Sequence, residues 1–401
     1  MHPVATITDE LRSTTTFRAL DGLRGVAVAA VIGFHLYRFA VIGWTAGGAD
    51  VPVWAWPIGL GQFGVDVFFV LSGFLVVRSW SALRRRRPGW DGVREFFRRR
   101  ALRILPGFLV AVAVLTPLLA PRLLAPSHWG DLALLASTQG YWKPGLVHDV
   151  NVVFWSLTPE VDFYLLVPVV AVVLAVRRRW ALLAVALAVS VVWQGWGHGE
   201  LAAGVILGRI DQFVAGAVVA TLFADHQAGR RHPVIDLVRR PGAGWAMALG
   251  IVALGTVLGA ALGPLPTGDW MAFVHPAASL LFAGIVLRLA VDDGPHRLGH
   301  PVLRYAGMVS YGVYLWHYRV LSLAFSVTGI VPGDGTPAAA VVVVALAAVA
   351  ASMAVGTASY LLVERPFLRH KHAAAASGPA GPAGDGTPPE DDRRRALAAV
   401  G

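Results

Sequence analysis

Asp21, Arg24 and His35 are the first residues whose types and spacing suggest chemistry, because all three belong to one helical segment that is largely apolar. Their spacing places them on one face of a helix, where the eleven positions from Arg24 to His35 make about three turns, or roughly 16 Å of rise. A neutral imidazole in an apolar setting is the usual general base for taking a proton from a hydroxyl. A histidine satisfied by a neighbouring helix is the simpler alternative, but the alignment with Arg24 and Asp21 favours a functional role.

A second candidate is the R-x-x-R pair formed by Arg100 and Arg103, at the predicted start of the third membrane span. The two side chains are one helical turn apart and face the same way. Paired arginines bind phosphates well, and a CoA-type donor carries several. Anchoring of a cytoplasmic loop by positive charge explains the same residues. Taken alone, the pair is better explained by anchoring.

Two acidic residues at helix ends leave alternatives open. In the stretch WSLTPEVDFY, Thr158 is expected to cap a helix, with Glu160 in its first turn. Glu160 is then either an acid favoured by the helix dipole or a carboxylate at the external mouth that orients a sugar hydroxyl. Glu364 closes the last apolar run, either as a functional acid or as a surface pair with Arg365.

Further polar residues interrupt apolar helices. In SYGVYLWHYRV, Ser310 and His317 are seven residues apart on one helical face, with Tyr311 beside them, although aromatic residues there could equally be interface anchors. Asp66 is a carboxylate inside the apolar stretch GVDVFFVLSGFL. Charged or polar groups within membrane helices are costly, so Asp66, Tyr311 and His317 are treated as possible supporting site residues.

The pair Arg209 and Asp211, in GRIDQF, is expected to form an ion pair between its own two members. The thirteen histidines show no H-E-x-x-H or similar spacing, and the chain has no cysteine. The sequence therefore predicts no metal site.

The elements that carry these residues are predicted to be membrane helices. Of the 401 residues, 56% are hydrophobic and only 14% charged, whereas soluble domains carry about 25% charged residues. Apolar runs of roughly the 20 residues needed to cross a bilayer recur along the chain, which excludes a soluble protein. The net charge of +10 comes mainly from short arginine clusters between these runs, so a nucleic-acid partner is not expected. The polar N-terminus lacks the apolar core of a signal peptide.

The predicted fold is all-α, a polytopic bundle of about ten transmembrane helices. Arginine-rich connections alternate with connections that carry few positive charges, so the positive-inside rule places both termini in the cytoplasm. The external connection 122–157 has room for a short helix from Trp129 to Ser137. We predict a cytoplasmic segment at 1–17, a transmembrane domain at 18–368 and a disordered cytoplasmic tail at 369–401. The ten spans are 25–42, 58–80, 104–121, 158–176, 180–196, 201–224, 243–263, 270–290, 305–328 and 337–363.

Six stretches within residues 17–368 together resemble the acyltransferase 3 family of bacterial membrane O-acyltransferases, and they occur in that family's order. They are FRALDGLRGVAVAAVIGFH, GVDVFFVLSGFLV, RRRALRILP, WSLTPEVDFYLLVP, SYGVYLWHYRV and VERPF. The resemblance implies a ten-helix bundle in the plasma membrane that moves an acyl group from a cytoplasmic donor, usually acyl-CoA, to a hydroxyl of a glycan or a glycosylated small molecule. The transmembrane domain at 18–368 would then be the acyltransferase domain.

The resemblance also implies roles for individual residues. Arg24 and His35 match the essential Arg–His pair, and Arg100 and Arg103 match the donor-binding R-x-x-R motif. Glu160 and Glu364 match the family's acidic positions, and both are assigned with His35 and Arg24 to the catalytic group. The sequence departs from the family in having Val161 where a second acid is frequent, and Arg319 in place of a proline. Both departures bear on the acceptor more than on the chemistry.

The expected reaction needs acyl-CoA as a donor substrate and no permanently bound cofactor. The acceptor is expected to be a macrolide-type antibiotic sugar or an envelope glycan, with a slight preference for the antibiotic of an actinobacterial pathway. This preference follows from the arginine-rich, high-GC composition and from the lack of an SGNH-type external domain in this sequence. The alternative class is a proton-coupled transporter in which His35 relays protons, although no matching sequence halves are evident.

Overall fold

The structure, a computed structural model, describes residues 17–46, 56–143, 145–196, 204–262, 271–292, 297–330 and 336–369. Within these ranges the chain is helical and contains no strand. The long helices in them are α1 (Arg18–Ala46), α2 (Gly64–Arg86), α3 (Trp90–Leu119), α4 (Leu157–Ala175), α5 (Arg179–Gly195), α6 (Ile210–Gln227), α7 (Ala243–Leu262), α8 (Met271–Val291), α9 (Pro301–Thr328) and α10 (Ala338–Ser359). The predicted N-terminal segment up to residue 16 and the predicted tail from residue 370 lie outside the described ranges.

Six helical segments of the described chain are long and apolar enough to cross a membrane; they contain α1, α2, α3, α4, α8 and α10. Two shorter apolar helices, Arg179–Gly195 and Ala243–Val257, correspond to α5 and most of α7. α6 and α9 carry polar side chains buried against other helices, including Asp211 and His317. Every predicted span therefore has a helix, while the count of ten crossings and the cytoplasmic termini stay predictions.

The crossing of α1 and α9 depends on two glycines. A Cβ atom on Gly25 would overlap the carbonyl oxygen of Leu303, and one on Gly307 would overlap the carbonyl oxygen of Asp21. Small residues at such a crossing let two membrane helices approach backbone to backbone. The contact places Arg24 and His35 of α1 against the polar face of α9.

A stack of phenylalanines joins α2, α4 and α6. The ring of Phe213 lies between those of Phe69 and Phe163, with centroids 4.6 Å from each. Phe163 and Phe213 are completely buried. This stack fixes the first turns of α4, and therefore Glu160, against α2.

Helix α3 begins well before the predicted start of the third span at residue 104. It runs from Trp90, because Glu95 accepts bonds from Arg98 (2.7 Å) and Arg99 (2.6 Å) and so stabilises an arginine-rich first half. At 1.5 Å per residue, Arg100 lies roughly 15 Å inside the helix. The arginine pair, predicted at the start of the third span, therefore lies in the middle part of α3, directly before residue 104.

The segment between α3 and α4 is tied to α9. It contains the short helices Trp129–Ala136, close to the predicted Trp129–Ser137, and Leu146–Val150. Arg319 donates from Nε to the carbonyl of Val150 at 2.7 Å and from Nη2 to that of His148 at 3.1 Å. These bonds satisfy carbonyls at the end of the second short helix. The arginine that replaces the family's proline therefore holds this segment in place.

Candidate active site

A cavity of about 880 Å³ lies between α1, α2, α3, α4, α9 and the residues that follow α10. Its charged lining consists of two carboxylates, Asp21 and Glu160, and six arginines, Arg24, Arg100, Arg103, Arg304, Arg365 and Arg369. The excess of positive charge in a space enclosed by helices suits a ligand with several negative charges.

The guanidinium groups of Arg100 and Arg103 are supported by aromatic rings. Cζ of Arg100 lies 5.8 Å from the ring centroid of Tyr164, and Cζ of Arg103 lies 5.7 Å from that of Tyr311. Such cation–π contacts position an arginine without using its N–H donors. Nε of Arg100 and Nε of Arg24 are buried and have no hydrogen-bond partner. Because buried donors are normally satisfied, these atoms point to a ligand that supplies acceptors.

Glu160 is held at the α2 side of the cavity. Its Oε1 accepts hydrogen bonds from the phenol of Tyr164 at 2.5 Å and from Oγ of Ser72 at 3.3 Å. The prediction that Thr158 caps α4 was wrong, because the helix already begins at Leu157 and the Thr158 hydroxyl donates to the carbonyl of Thr138 at 2.6 Å. Glu160 lies in the first turn of α4 and also lines the cavity, so neither of its two expected roles excludes the other.

Two tyrosines of α9 also line the cavity. Tyr311 donates to the carbonyl of Ile104 at 2.7 Å, and Tyr314 donates to Oγ of Ser156 at 2.7 Å. Ser310 also lines the cavity, and its hydroxyl donates to the carbonyl of Gly307 at 2.8 Å. The tyrosines thereby link α9 to α3 and to the turn that precedes α4.

His35 lies beside the cavity and is not one of its lining residues. Its ring packs against those of His317 and Tyr318, with centroids 5.1 Å away in both cases. His317 in turn packs 5.7 Å from the ring of Tyr314, which does line the cavity. The structure thus brings Arg24 into the cavity and places His35 behind its wall, separated from the lining residue Tyr314 by the ring of His317.

A π-helical turn, Tyr360–Glu364, directs Glu364 into the protein. Glu364 is 2% exposed, accepts a bond from Oγ of Ser359 at 3.4 Å, and sits where a Cβ on Gly312 would come within 2.8 Å of its Oε1. The alternative of a surface pair with Arg365 was wrong, because the extra residue of the π-turn buries the acid while Arg365 faces the cavity. Such turns are frequent at functional sites.

A sequence model of a family described as an acyltransferase domain matches residues 17–357. The chain belongs to this acyltransferase family. It is 31% identical to the exopolysaccharide production protein ExoZ of Rhizobium meliloti, over 78% of this chain and 92% of that protein. It is 30% identical to the putative membrane-bound transacylase BcsY of Komagataeibacter xylinus, over 89% of this chain and 84% of that protein.

A third relative, the peptidoglycan O-acetyltransferase OatA of Listeria monocytogenes, is 26% identical over 88% of this chain but only 56% of its own length. No solved structure matches the chain. The resemblance stated from the six motifs is confirmed, and the protein is an integral membrane acyltransferase that transfers groups other than aminoacyl groups. These findings favour the enzyme over the transporter.

The acyltransferase also contains a second buried polar cluster, formed by Asp66, Arg209 and His275. Oδ1 of Asp66 accepts from Nη1 of Arg209 at 3.2 Å, and Oδ2 from Nδ1 of His275 at 2.8 Å. The predicted ion pair of Arg209 with Asp211 was wrong, because Arg209 forms its ion pair with Asp66, and Asp211 accepts from the hydroxyl of Ser190 at 2.6 Å. Neither Asp66 nor Arg209 lines the cavity.

Sequence reasoning missed three of the cavity's arginines. The sequence motifs include Arg365 only as a possible partner of Glu364, and they single out neither Arg304 nor Arg369. All three lie more than 200 residues from Arg100 in the chain, and only the packing of α9 and the end of α10 against α3 brings them together. A run of arginines at the ends of helices is the one sequence signal that could have indicated them.

Proposed function

We propose that this acyltransferase takes an acyl group from acyl-CoA and transfers it to a hydroxyl of a glycan. The observation that supports the donor is the cavity lined by six arginines, with Nε of Arg24 and Nε of Arg100 lacking acceptors. Acyl-CoA supplies several phosphate oxygens, which arginines bind through charge-assisted hydrogen bonds. The volume of the cavity, about 880 Å³, lies within the range of roughly 300–1,000 Å³ found for ligand sites.

In this proposal Arg100 and Arg103 bind the phosphates, and the thioester lies towards Tyr314 and His35. His35 takes the proton of the acceptor hydroxyl while the hydroxyl oxygen attacks the thioester carbon. The carbon–sulfur bond then breaks, and the thiolate receives that proton from His35, so an ester and free CoA are formed. Arg24 stabilises the negative charge that develops on the carbonyl oxygen.

The names of the relatives support a glycan as the acceptor. One is named for exopolysaccharide production and one for O-acetylation of peptidoglycan, so both names refer to glycans. A glycan hydroxyl is therefore the first candidate, ahead of the sugar of a macrolide-type antibiotic. Glu160, already hydrogen-bonded by Tyr164 and Ser72, lies where it could accept a bond from a sugar hydroxyl.

The experiment is acyl transfer by the purified protein in detergent, with labelled acetyl-CoA and a panel of soluble glycans and glycosylated macrolides. Wild type and His35→Ala are compared after both pass gel filtration and a thermal unfolding control. We expect transfer that His35→Ala lowers by about 10²–10⁴-fold, the usual contribution of a general base. Equal transfer by the two proteins would remove His35 from the mechanism, and dependence on a donor other than acyl-CoA would refute the assignment of the cavity.

A further inference from the structure

Two imidazole rings lie next to each other where α1 and α9 pack together. The ring centroids of His35 and His317 are 5.1 Å apart and the ring planes are tilted by 43°. His317 is completely buried, and the ring of Tyr318 also lies 5.1 Å from that of His35. His317 has no role in the reaction proposed for His35 and Arg24.

The tautomer of His317 is set by its own helix. Its Nδ1 lies 2.8 Å from the carbonyl oxygen of Tyr314 and 3.2 Å from that of Val313. A carbonyl oxygen only accepts, so Nδ1 of a neutral His317 carries the proton and Nε2 carries a lone pair. That Nε2 is buried and has no hydrogen-bond partner.

One ring nitrogen of His35 also lacks a hydrogen-bond partner. This nitrogen is Nδ1, and it is buried as well. Buried polar atoms are normally hydrogen-bonded, so two unpartnered ones in neighbouring rings are unusual. One ring can therefore supply a donor and the neighbouring ring an acceptor, and catalytic hydrogen bonds often tighten only when substrate is bound.

We propose that His317 is a positioning residue for His35, an inference that rests on the proposed function. Nε2 of His317 accepts a hydrogen bond from Nδ1–H of His35, which keeps the lone pair of His35 on its own Nε2. That nitrogen then takes the acceptor proton, and the imidazolium that forms stays bonded to neutral His317. A base oriented by a third group is a recurrent arrangement in acyl-transfer enzymes.

The test compares two substitutions with opposite properties. His317→Gln retains an oxygen acceptor near the position of Nε2 but loses the ring. His317→Phe retains the ring and its packing but loses the acceptor. Trp316→Phe is the matched control, because it removes another buried, unpartnered N–H from the same turn. kcat and the KM values for acetyl-CoA and acceptor are measured for each folded variant.

We expect His317→Phe to lower kcat by about 10²-fold or more with little change in either KM, and His317→Gln to stay within about tenfold of wild type. Trp316→Phe should match wild type. If the phenylalanine variant is active and the glutamine variant inactive, His317 acts through packing and the proposal fails. Loss of activity in His35→Ala together with full activity in His317→Phe would leave the proposed function standing and overturn this inference alone.

A spectroscopic measurement keeps the inference testable even if acetyl-CoA is not the donor. Nitrogen-15 NMR of histidine-labelled protein in detergent reports which ring nitrogen carries the proton, and His35→Ala identifies the signals of His35. We expect Nδ1 of His35 to be protonated in wild type and the two tautomers to mix in His317→Phe. An unchanged His35 spectrum in His317→Phe would refute the hydrogen bond.

Discussion

Two groups of charged side chains lie inside the helix bundle, and their hydrogen bonding is organised in opposite ways. In the Asp66 cluster, both carboxylate oxygens of Asp66 accept bonds, from Arg209 and from His275. In the cavity, arginines outnumber carboxylates six to two, and Nε of Arg24 and of Arg100 lack acceptors. The polar groups of the Asp66 cluster form hydrogen bonds with one another, whereas the arginines of the cavity have donors that need a ligand to supply acceptors.

This difference separates a structural role from a functional one better than charge alone does. A charged residue in a membrane helix is a functional candidate by default, and on that ground Asp66 and Arg24 were equal candidates. A buried ion pair whose members satisfy one another has no bond left for a substrate. In contrast, the unpartnered donors in the cavity of about 880 Å³ can still form hydrogen bonds with a substrate.

The largest expected effect is on stability, in the Asp66 cluster. Asp66→Asn removes the buried carboxylate that accepts from Arg209 and His275, and breaking a buried ion pair in this way costs about 3–5 kcal/mol. We expect a corresponding loss in the free energy of unfolding, measured by SDS titration in mixed micelles. The KM for acetyl-CoA of the protein that stays folded should match wild type.

The control for this prediction removes both charges at once. Asp66→Leu combined with Arg209→Met replaces the pair with apolar side chains, which is often neutral for stability. We expect this double variant to be more stable than Asp66→Asn. If Asp66→Asn instead abolishes transfer in a protein of normal stability, the cluster takes part in the reaction and the comparison fails.

A smaller effect, on donor binding, is expected in the cavity. Arg103→Gln removes a charge-assisted hydrogen bond worth about 1.5–3 kcal/mol, so the KM for acetyl-CoA should rise by about 10–100-fold. Stability should change little, because the guanidinium contacts the ring of Tyr311 and forms no ion pair among the described residues. Arg178→Gln, at an exposed arginine between α4 and α5, is the matched control for loss of one positive charge. If the KM for acetyl-CoA changed equally in both variants, the donor would be bound through the net positive charge of the protein and not through Arg103 itself.

Arg319 should behave like the Asp66 cluster, because its donors are already used on backbone carbonyls. Arg319→Met should lower the free energy of unfolding by about 1.5 kcal/mol, the lower end for a hydrogen bond to a charged group. It should also raise the rate of proteolysis between α3 and α4, with unchanged KM for acetyl-CoA. Arg38→Met, at an exposed arginine of α1, is the control. If the KM for acetyl-CoA instead rose as much as in Arg103→Gln, Arg319 would take part in binding the donor.

Part of this comparison could be predicted from the sequence. Hydropathy and motif order indicated the helices, and Arg24, Arg100, Arg103 and Glu160 do line one cavity. The length of α3 could not be predicted, because an arginine-rich segment resembles a loop until Glu95 is seen to pair with Arg98 and Arg99.

The burial of Glu364 could not be predicted either. Nothing in its local sequence signals the extra residue of a π-turn, which rotates every later side chain relative to α10. The partners of Asp66 come from the residue that precedes α6 and from α8, more than 140 and 200 residues away in the chain. Which buried charges are satisfied is therefore a property of the packed helices, and it was the observation that separated the two groups.

The smallest effect on stability and activity is expected for an ion pair that is fully hydrogen-bonded but exposed to water. Nζ of Lys143 lies 2.6 and 2.7 Å from the two carboxylate oxygens of Asp131, between α3 and α4. This bond, with a smaller contribution from His128, lowers the pKa of Asp131. Because the folded pKa is the lower one, any stabilisation is present above the unfolded pKa of about 3.9 and is lost as the pH falls through the folded value.

Lys143→Met should therefore leave both acyl transfer and thermal stability at pH 7 within the scatter of the measurement, because exposed pairs contribute little. Any difference from wild type should shrink further as the pH falls below about 4, because the stabilisation is lost between the unfolded pKa of Asp131 and its lower folded pKa. A loss of stability at pH 7 as large as that of Asp66→Asn would mean that water does not weaken the exposed pair. Satisfied hydrogen bonding would then mark a structural role wherever it occurs, and burial would no longer be part of the criterion.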